Sequence, residues 1–146
     1  MRLQSHAALS AVLGGGLYAA GCPRTTVIAF FLSGVFIDLD HVPDYLLLSG
    51  ERPSLRGFFK WHYTVKWTKL YLFLHSYELV LAVSVYAFFS GSALWSGLAA
   101  GAACHLLADQ ISNRHLPEGY SLKRGFYFFI FRYRVGFRKK KMLFRT

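Results

Sequence analysis

Long apolar stretches alternate with short basic ones along this chain. Four stretches carry little charge: residues 7–20, 25–48, 70–89 and 93–111. A helix needs about 20 mostly apolar residues to cross a bilayer; the last three satisfy this, and the first does so when its flanks join it. A surface helix of a soluble domain shows a polar stripe at helical spacing. The run Val80-Leu81-Ala82-Val83-Ser84-Val85-Tyr86-Ala87-Phe88-Phe89 has no charged face. The pattern predicts an all-α protein, a four-helix transmembrane bundle over residues 1–113. Residues 114–146 follow as a basic interfacial or cytoplasmic tail. No internal repeat or low-complexity linker interrupts this plan.

Composition agrees with lipid as the solvent. Of 146 residues, 54% are hydrophobic and 16% charged, against about 25% charged in average soluble domains. The net charge of +10 accompanies too much hydrophobicity for a disordered chain. Two cysteines without a CxxC pair exclude a disulfide scaffold and a thiolate zinc knuckle. The apolar run after Arg2 lacks a small-residue cleavage site, so no cleavable signal peptide is expected.

The cations orient the bundle. With four crossings and both termini cytoplasmic, every Lys and Arg except Arg24 falls inside, as the positive-inside rule requires. The inner membrane of the cell is the expected location. The loop Glu51–Lys69 is basic and carries Phe58, Phe59, Trp61, Tyr63 and Trp67. The tail interleaves aromatic residues with cations from Phe126 to Arg134 and ends in Arg138-Lys139-Lys140-Lys141. Residues 126–131 are too few to span, which predicts an interfacial segment whose cations meet anionic lipid headgroups. Nucleic-acid binding through stacked aromatics is the competing reading. It is not needed, because a membrane protein places basic residues inside anyway.

Polar residues inside the apolar stretches are the candidate chemistry. Asp38, Asp40, Asp44, Glu78 and Asp109 lie within or at the ends of these stretches, as do His6, His41, His75 and His105. An ionisable side chain at the centre of a membrane helix costs roughly 2.5–3.5 kcal/mol on insertion scales, so such residues suggest function. In the four-span topology all nine lie near the inner interface, within about two or three turns of one another in depth. Asp38/His41 and His75/Glu78 are spaced i, i+3; Asp40/Asp44 and His105/Asp109 are spaced i, i+4, so each pair would share a helix face. Imidazole with carboxylate suits borderline divalent metals, and helical bundles assemble such centres from facing helices. One or two ions are expected, zinc first, with manganese or magnesium as alternatives. Blander readings remain for each pair: a helix end at Pro43, an interhelical hydrogen bond for His75 and Glu78, a proton relay for His105 and Asp109. His62 and His115 are expected to be interfacial or solvated, and Cys104 to be a packing residue.

Taken together, Ile37-Asp38-Leu39-Asp40-His41, Leu74-His75-Ser76 and His105-Leu106-Leu107-Ala108-Asp109, with the early His6, resemble the bacterial inner-membrane metal-dependent hydrolase family. That family is distantly similar to zinc-dependent phospholipase C and S1/P1-type nucleases. The resemblance covers residues 1–113. It implies that His6, Asp38, Asp40, His41, His75, His105 and Asp109 are metal ligands or close neighbours. It would also place a histidine near Leu70 and a threonine before His75. This chain has Lys69-Leu70-Tyr71-Leu72-Phe73-Leu74-His75-Ser76 instead, leaving Glu78 or His62 to substitute.

Such a ligand set predicts metal-dependent hydrolysis. Bound metal activates water at neutral pH, and phosphoesters suit that chemistry. Asp40 or Asp109 is expected as a bridging carboxylate and Glu78 as general base or extra ligand, which makes Asp40, Glu78 and Asp109 the candidate catalytic residues. A phospholipid or lipid phosphate presented at the cytoplasmic face is the expected small phosphoester substrate. GxSxG, Walker and HExxH motifs are absent. An ion or proton transporter is an alternative, disfavoured by outer halves almost without ionisable groups. A non-catalytic metal-binding scaffold is another.

Overall fold

In the computed structural model, which describes residues 3–63, 67–113, 116 and 119–145 (without the side chains of 62 and 63), helix dominates. In chain order come α1 (Leu3–Ala19), α2 (Arg24–Phe36), a 3-10 turn (Ile37–Asp40), α3 (His41–Leu48) and α4 (Leu55–Tyr63). Then follow α5 (Tyr77–Ser90), α6 (Ala93–Ser112), strand β1 (Tyr120–Leu122), α7 (Phe129–Arg134), α8 (Lys139–Met142) and strand β2 (Leu143–Arg145). These elements form two units interleaved in sequence. The first takes the chain up to Ile37 and Tyr77–Ile111; the second takes Asp38–Ser76 and the chain from Ser112 onward.

The first unit contains α1, α2, α5 and α6. Its α2–α6 contact is built from small residues. A Cβ added at Gly97 would meet the Thr26 carbonyl oxygen, and one at Gly101 would meet the Phe30 carbonyl oxygen and the Ser33 hydroxyl. Gly97-Leu98-Ala99-Ala100-Gly101 thus brings two backbones together in the small-xxx-small manner of membrane helices. Hydroxyls fasten the same seam: Thr26 donates to the Ala93 carbonyl at 3.0 Å and Ser33 to that of Leu98 at 3.0 Å. Gly91, at φ +60°, makes the left-handed turn between α5 and α6 that a side chain would strain. Large apolar side chains point outward, among them Val12, Ile28, Leu81, Phe88 and Phe89, while His6, Ser10, His105 and Asp109 are buried. Large apolar side chains on the outer face differ from the polar outer face of a water-soluble helix bundle.

Among the described residues one helical run, Arg24–Leu48 with 25 residues, is long and apolar enough to cross a membrane. Helices α1 and α5 have 17 and 14 residues, about 25 and 21 Å at 1.5 Å per residue, short of a hydrocarbon core of about 30 Å. Helix α6 has 20 but includes His105, Asp109 and Gln110.

The second unit holds α3 and α4, the segment 67–76 and the C-terminal elements. Strands β1 and β2 pair antiparallel, Tyr120 with Arg145 and Leu122 with Leu143. Tyr45, Trp61, Trp67, Leu70, Leu72, Phe126, Tyr127, Met142 and Leu143 are buried here. Two expectations change. The basic loop Glu51–Lys69 contains a helix, α4. The apolar stretch 70–89 becomes helical only from Tyr77, because the amides of 71, 72, 74 and 75 bond to carboxylates rather than to helix carbonyls. Leu72 at φ +49° also lies outside helical geometry.

Valine at Gly97 or Gly101 should force α2 and α6 apart, costing at least the roughly 1–3 kcal/mol of an overpacked core. Gly15→Ala meets nothing within 4 Å and should be neutral or stabilise by up to about 1 kcal/mol. Thermal unfolding of the three variants in detergent checks both expectations.

Candidate metal centre

Each unit brings two buried imidazoles together with a carboxylate, buried in Asp109 and half-buried in Asp38. In the first unit, His6 comes from the second turn of α1, and His105 and Asp109 from successive turns of α6. His6 Nε2 lies 3.0 Å from Asp109 Oδ1, and His105 Nε2 lies 3.7 Å from Asp109 Oδ2. The two imidazoles stack at 3.7 Å with a 9° interplanar angle. His105 Nδ1 is 2.9 Å from the Gly34 carbonyl oxygen. A carbonyl only accepts, so Nδ1 carries a proton and Nε2 is the ring nitrogen that faces Asp109. This is how a backbone carbonyl fixes the tautomer of a metal-binding histidine. The i, i+4 spacing of His105 and Asp109 does place them on one helix face.

In the second unit, Asp38 lies in the 3-10 turn, His41 opens α3, and His75 stands on the segment before α5. His75 Nε2 lies 3.3 Å from Asp38 Oδ1. The His41 and His75 rings meet edge to face at 5.0 Å. Pro43 does not end the helix. It sits in the first turn of α3, where a missing N–H costs nothing.

The donor sets fit a metal ion. Ligand atoms of His6, His105 and Asp109 all lie within 4.8 Å of one another, as do those of Asp38, His41 and His75. Ligands of a tetrahedral zinc at about 2.0–2.1 Å are roughly 3.3 Å apart. The measured separations of 3.0, 3.3 and 3.7 Å bracket that edge. Imidazole with carboxylate is the donor mixture that borderline divalent metals take.

Other sequence candidates take different places. Asp40 Oδ2 accepts the Leu74 amide at 2.6 Å and the His75 amide at 3.2 Å, with His75 Nδ1 at 3.4 Å. Asp44 Oδ2 accepts the amides of Tyr71 at 2.7 Å and Leu72 at 3.3 Å. The i, i+4 pair Asp40/Asp44 therefore anchors the backbone that presents His75. Glu78 lies in the first turn of α5 and belongs to neither group, and His75 precedes that helix. The His62 side chain and the whole of His115 lie outside the described residues. Cys104 has no part in either group.

One residue of this region was assigned elsewhere by the sequence. Arg132 was expected at the interface with its neighbours but has 0% exposure. Its guanidinium donates to the carbonyls of Tyr71 (3.1 Å), Leu72 (2.7 Å), His75 (2.9 Å) and Phe126 (2.5 Å). The planar fork reaches several acceptors at fixed angles, which a lysine cannot reproduce. Segment 71–75 is thus held from both sides, its amides by Asp40 and Asp44 and its carbonyls by Arg132. That grip maintains Leu72 in its left-handed conformation, a cost of about 1–3 kcal/mol. Arg132 is the one cation inside the aromatic run Phe126–Tyr133, a signal that suits an interface equally well.

No protein-family model matches the chain, and comparison with curated proteins and with solved structures finds no match. The family resemblance stands on its short motifs alone.

Arg132→Met should leave four buried carbonyls without their donor. The expected loss exceeds the roughly 1–3 kcal/mol of a single orphaned acceptor, and Arg132→Lys should recover only part of it. Chemical denaturation reads the stability, and faster hydrogen exchange confined to the amides of 71–75 reads the release of the segment.

Proposed function

We propose that the protein is a membrane-embedded, metal-dependent hydrolase of a phosphoester at the cytoplasmic membrane face. The observation that carries this reading is the convergence, in each unit, of two buried histidines with a carboxylate. Zinc bound at either set would supply Lewis acidity toward a phosphoryl oxygen and activate water at neutral pH. His6, His105 and Asp109 would hold one ion, and Asp38, His41 and His75 another. Gly34 would hold the His105 tautomer, and Asp40 would orient His75. A lipid phosphate or phospholipid is the substrate class that a membrane location would present.

Membrane insertion is supported by the outward apolar side chains of the first unit and its glycine-built helix seam. Charge supports the topology: every Lys and Arg but Arg2 and Arg24 belongs to the stretches 38–76 and 112–146. In this reading α1, Arg24–Leu48, α5 and α6 are the four spans and both termini are cytoplasmic. Anionic headgroups would be the counter-charge for the second unit.

Reporter fusions at Arg24, Lys60, Ser92 and the C-terminus should alternate out, in, out, in. A cytoplasmic Ser92 reporter would overturn the topology.

Elemental analysis of protein purified without chelator should find one or two divalent ions per chain. His105→Ala and His75→Ala should each lower that number, and Asp40→Ala should weaken metal affinity by about 10–100-fold, as loss of an orienting partner does. Turnover of phosphatidic acid or a soluble phosphomonoester by wild type, absent in Asp109→Ala, tests the hydrolase directly. Metal bound without turnover would leave a scaffold. Asp109-dependent ion or proton flux across sealed liposomes would instead show a transporter.

A further inference from the structure

A second constellation lies entirely in the second unit and has no part in the metal chemistry. Trp67, Thr68, Lys69 and Arg138 to Lys141 line a cleft of about 560 Å³, within the 300–1,000 Å³ range of small-molecule sites. Five of the seven lining residues are cations, and none is a carboxylate. Their backbone is fixed. Lys69 and Arg138 form an antiparallel bridge, the Leu70 amide donates to the Phe137 carbonyl at 3.1 Å, and the Lys139 amide donates to that of Thr68 at 2.9 Å. Phe137 at φ +57° and Gly136 at φ +66° make the corner that turns Arg138 back toward Lys69. Five like charges on so firm a frame repel one another, and a compact polyanion relieves that repulsion better than dispersed counterions.

The chemistry of the lining narrows the anion. Trp67 is the one aromatic of the lining, and Lys139 Nζ already sits 5.8 Å over its ring and 5.1 Å over that of Tyr120. The cleft offers ammonium and guanidinium donors without an open stacking platform, which favours phosphate oxygens over nucleobases. We propose that this cleft binds a phosphate or diphosphate group. The group is carried either by a lipid headgroup or by a soluble molecule. The site uses no metal ligand, so it stands whether or not the hydrolase reading does.

The test uses the full-length protein in phosphatidylcholine nanodiscs, titrated with inorganic pyrophosphate by calorimetry. Wild type should bind. The triple variant Arg138→Gln, Lys140→Gln, Lys141→Gln should bind on the order of a hundredfold more weakly, at about fivefold per cation near a charged surface. His105→Ala, which disturbs only the metal centre, should bind as wild type does. Repeating the titration with phosphatidic acid in the nanodiscs separates the sources. Weakened pyrophosphate binding means that a lipid phosphate fills the cleft, and unchanged binding means that the natural ligand is soluble; either supports the site. Absence of pyrophosphate binding by wild type overturns it. So does equal affinity in the triple variant, with circular dichroism confirming its fold, or displacement of pyrophosphate by single-stranded RNA at lower concentration.

Discussion

Carboxylates and imidazoles buried in so apolar a chain must find their partners inside the protein, because leaving them unsatisfied costs several kcal/mol each. That constraint orders the second unit around segment 71–75. Asp40 and Asp44 lie one helical turn apart and present oxygens to four successive-region amides, while Arg132 closes the opposite side with its donors. Each group would be expensive alone. Together they neutralise one another's demands and fix the backbone on which His75 stands. The same logic governs the first unit, where Asp109 faces both His6 and His105 and the Gly34 carbonyl accepts a hydrogen bond from the His105 ring.

Much of this was legible in the sequence, for definite reasons. His105 and Asp109 sit in an uninterrupted helical stretch, so spacing alone sets their common face. His6 could be included because α1 begins early enough to bring it into the first unit's bundle. The helices themselves follow from apolar runs bounded by Pro23 and by Gly91-Ser92. Where backbone geometry departs from a regular helix, spacing loses its meaning. His75 and Glu78 count as i, i+3, yet the chain between Leu70 and Ser76 gives its amides to side chains, and α5 starts only at Tyr77.

The tail shows a different limit. Composition identified Phe126–Arg134 as aromatic and basic but could not distinguish a cation facing headgroups from one folded inward. Arg132 is buried because the carbonyls of Tyr71, Leu72, His75 and Phe126 converge on one point. Those acceptors lie up to about sixty residues away in sequence, and no local pattern announces a long-range convergence of backbone groups. The pairing of β1 with β2 is hidden for the same reason: each has three residues, too few for an alternation to register.

The histidine that the family resemblance would place near Leu70 has a structural counterpart worth following through. Leu70 is itself buried, with 2% exposure, and its amide is tied to Phe137 at the edge of the cationic cleft. Its successor, Tyr71, is gripped by Asp44 through the amide and by Arg132 through the carbonyl. The position has gone to packing and backbone anchoring. The imidazole–carboxylate groups of both units form without a side chain from this position. The segment joins two features along a single stretch of chain. Lys69 faces the cleft, Leu70 packs in the core, and His75 stands five residues further on behind the clamp. One rigid segment thereby carries a buried histidine at one end and a wall of the cationic cleft at the other.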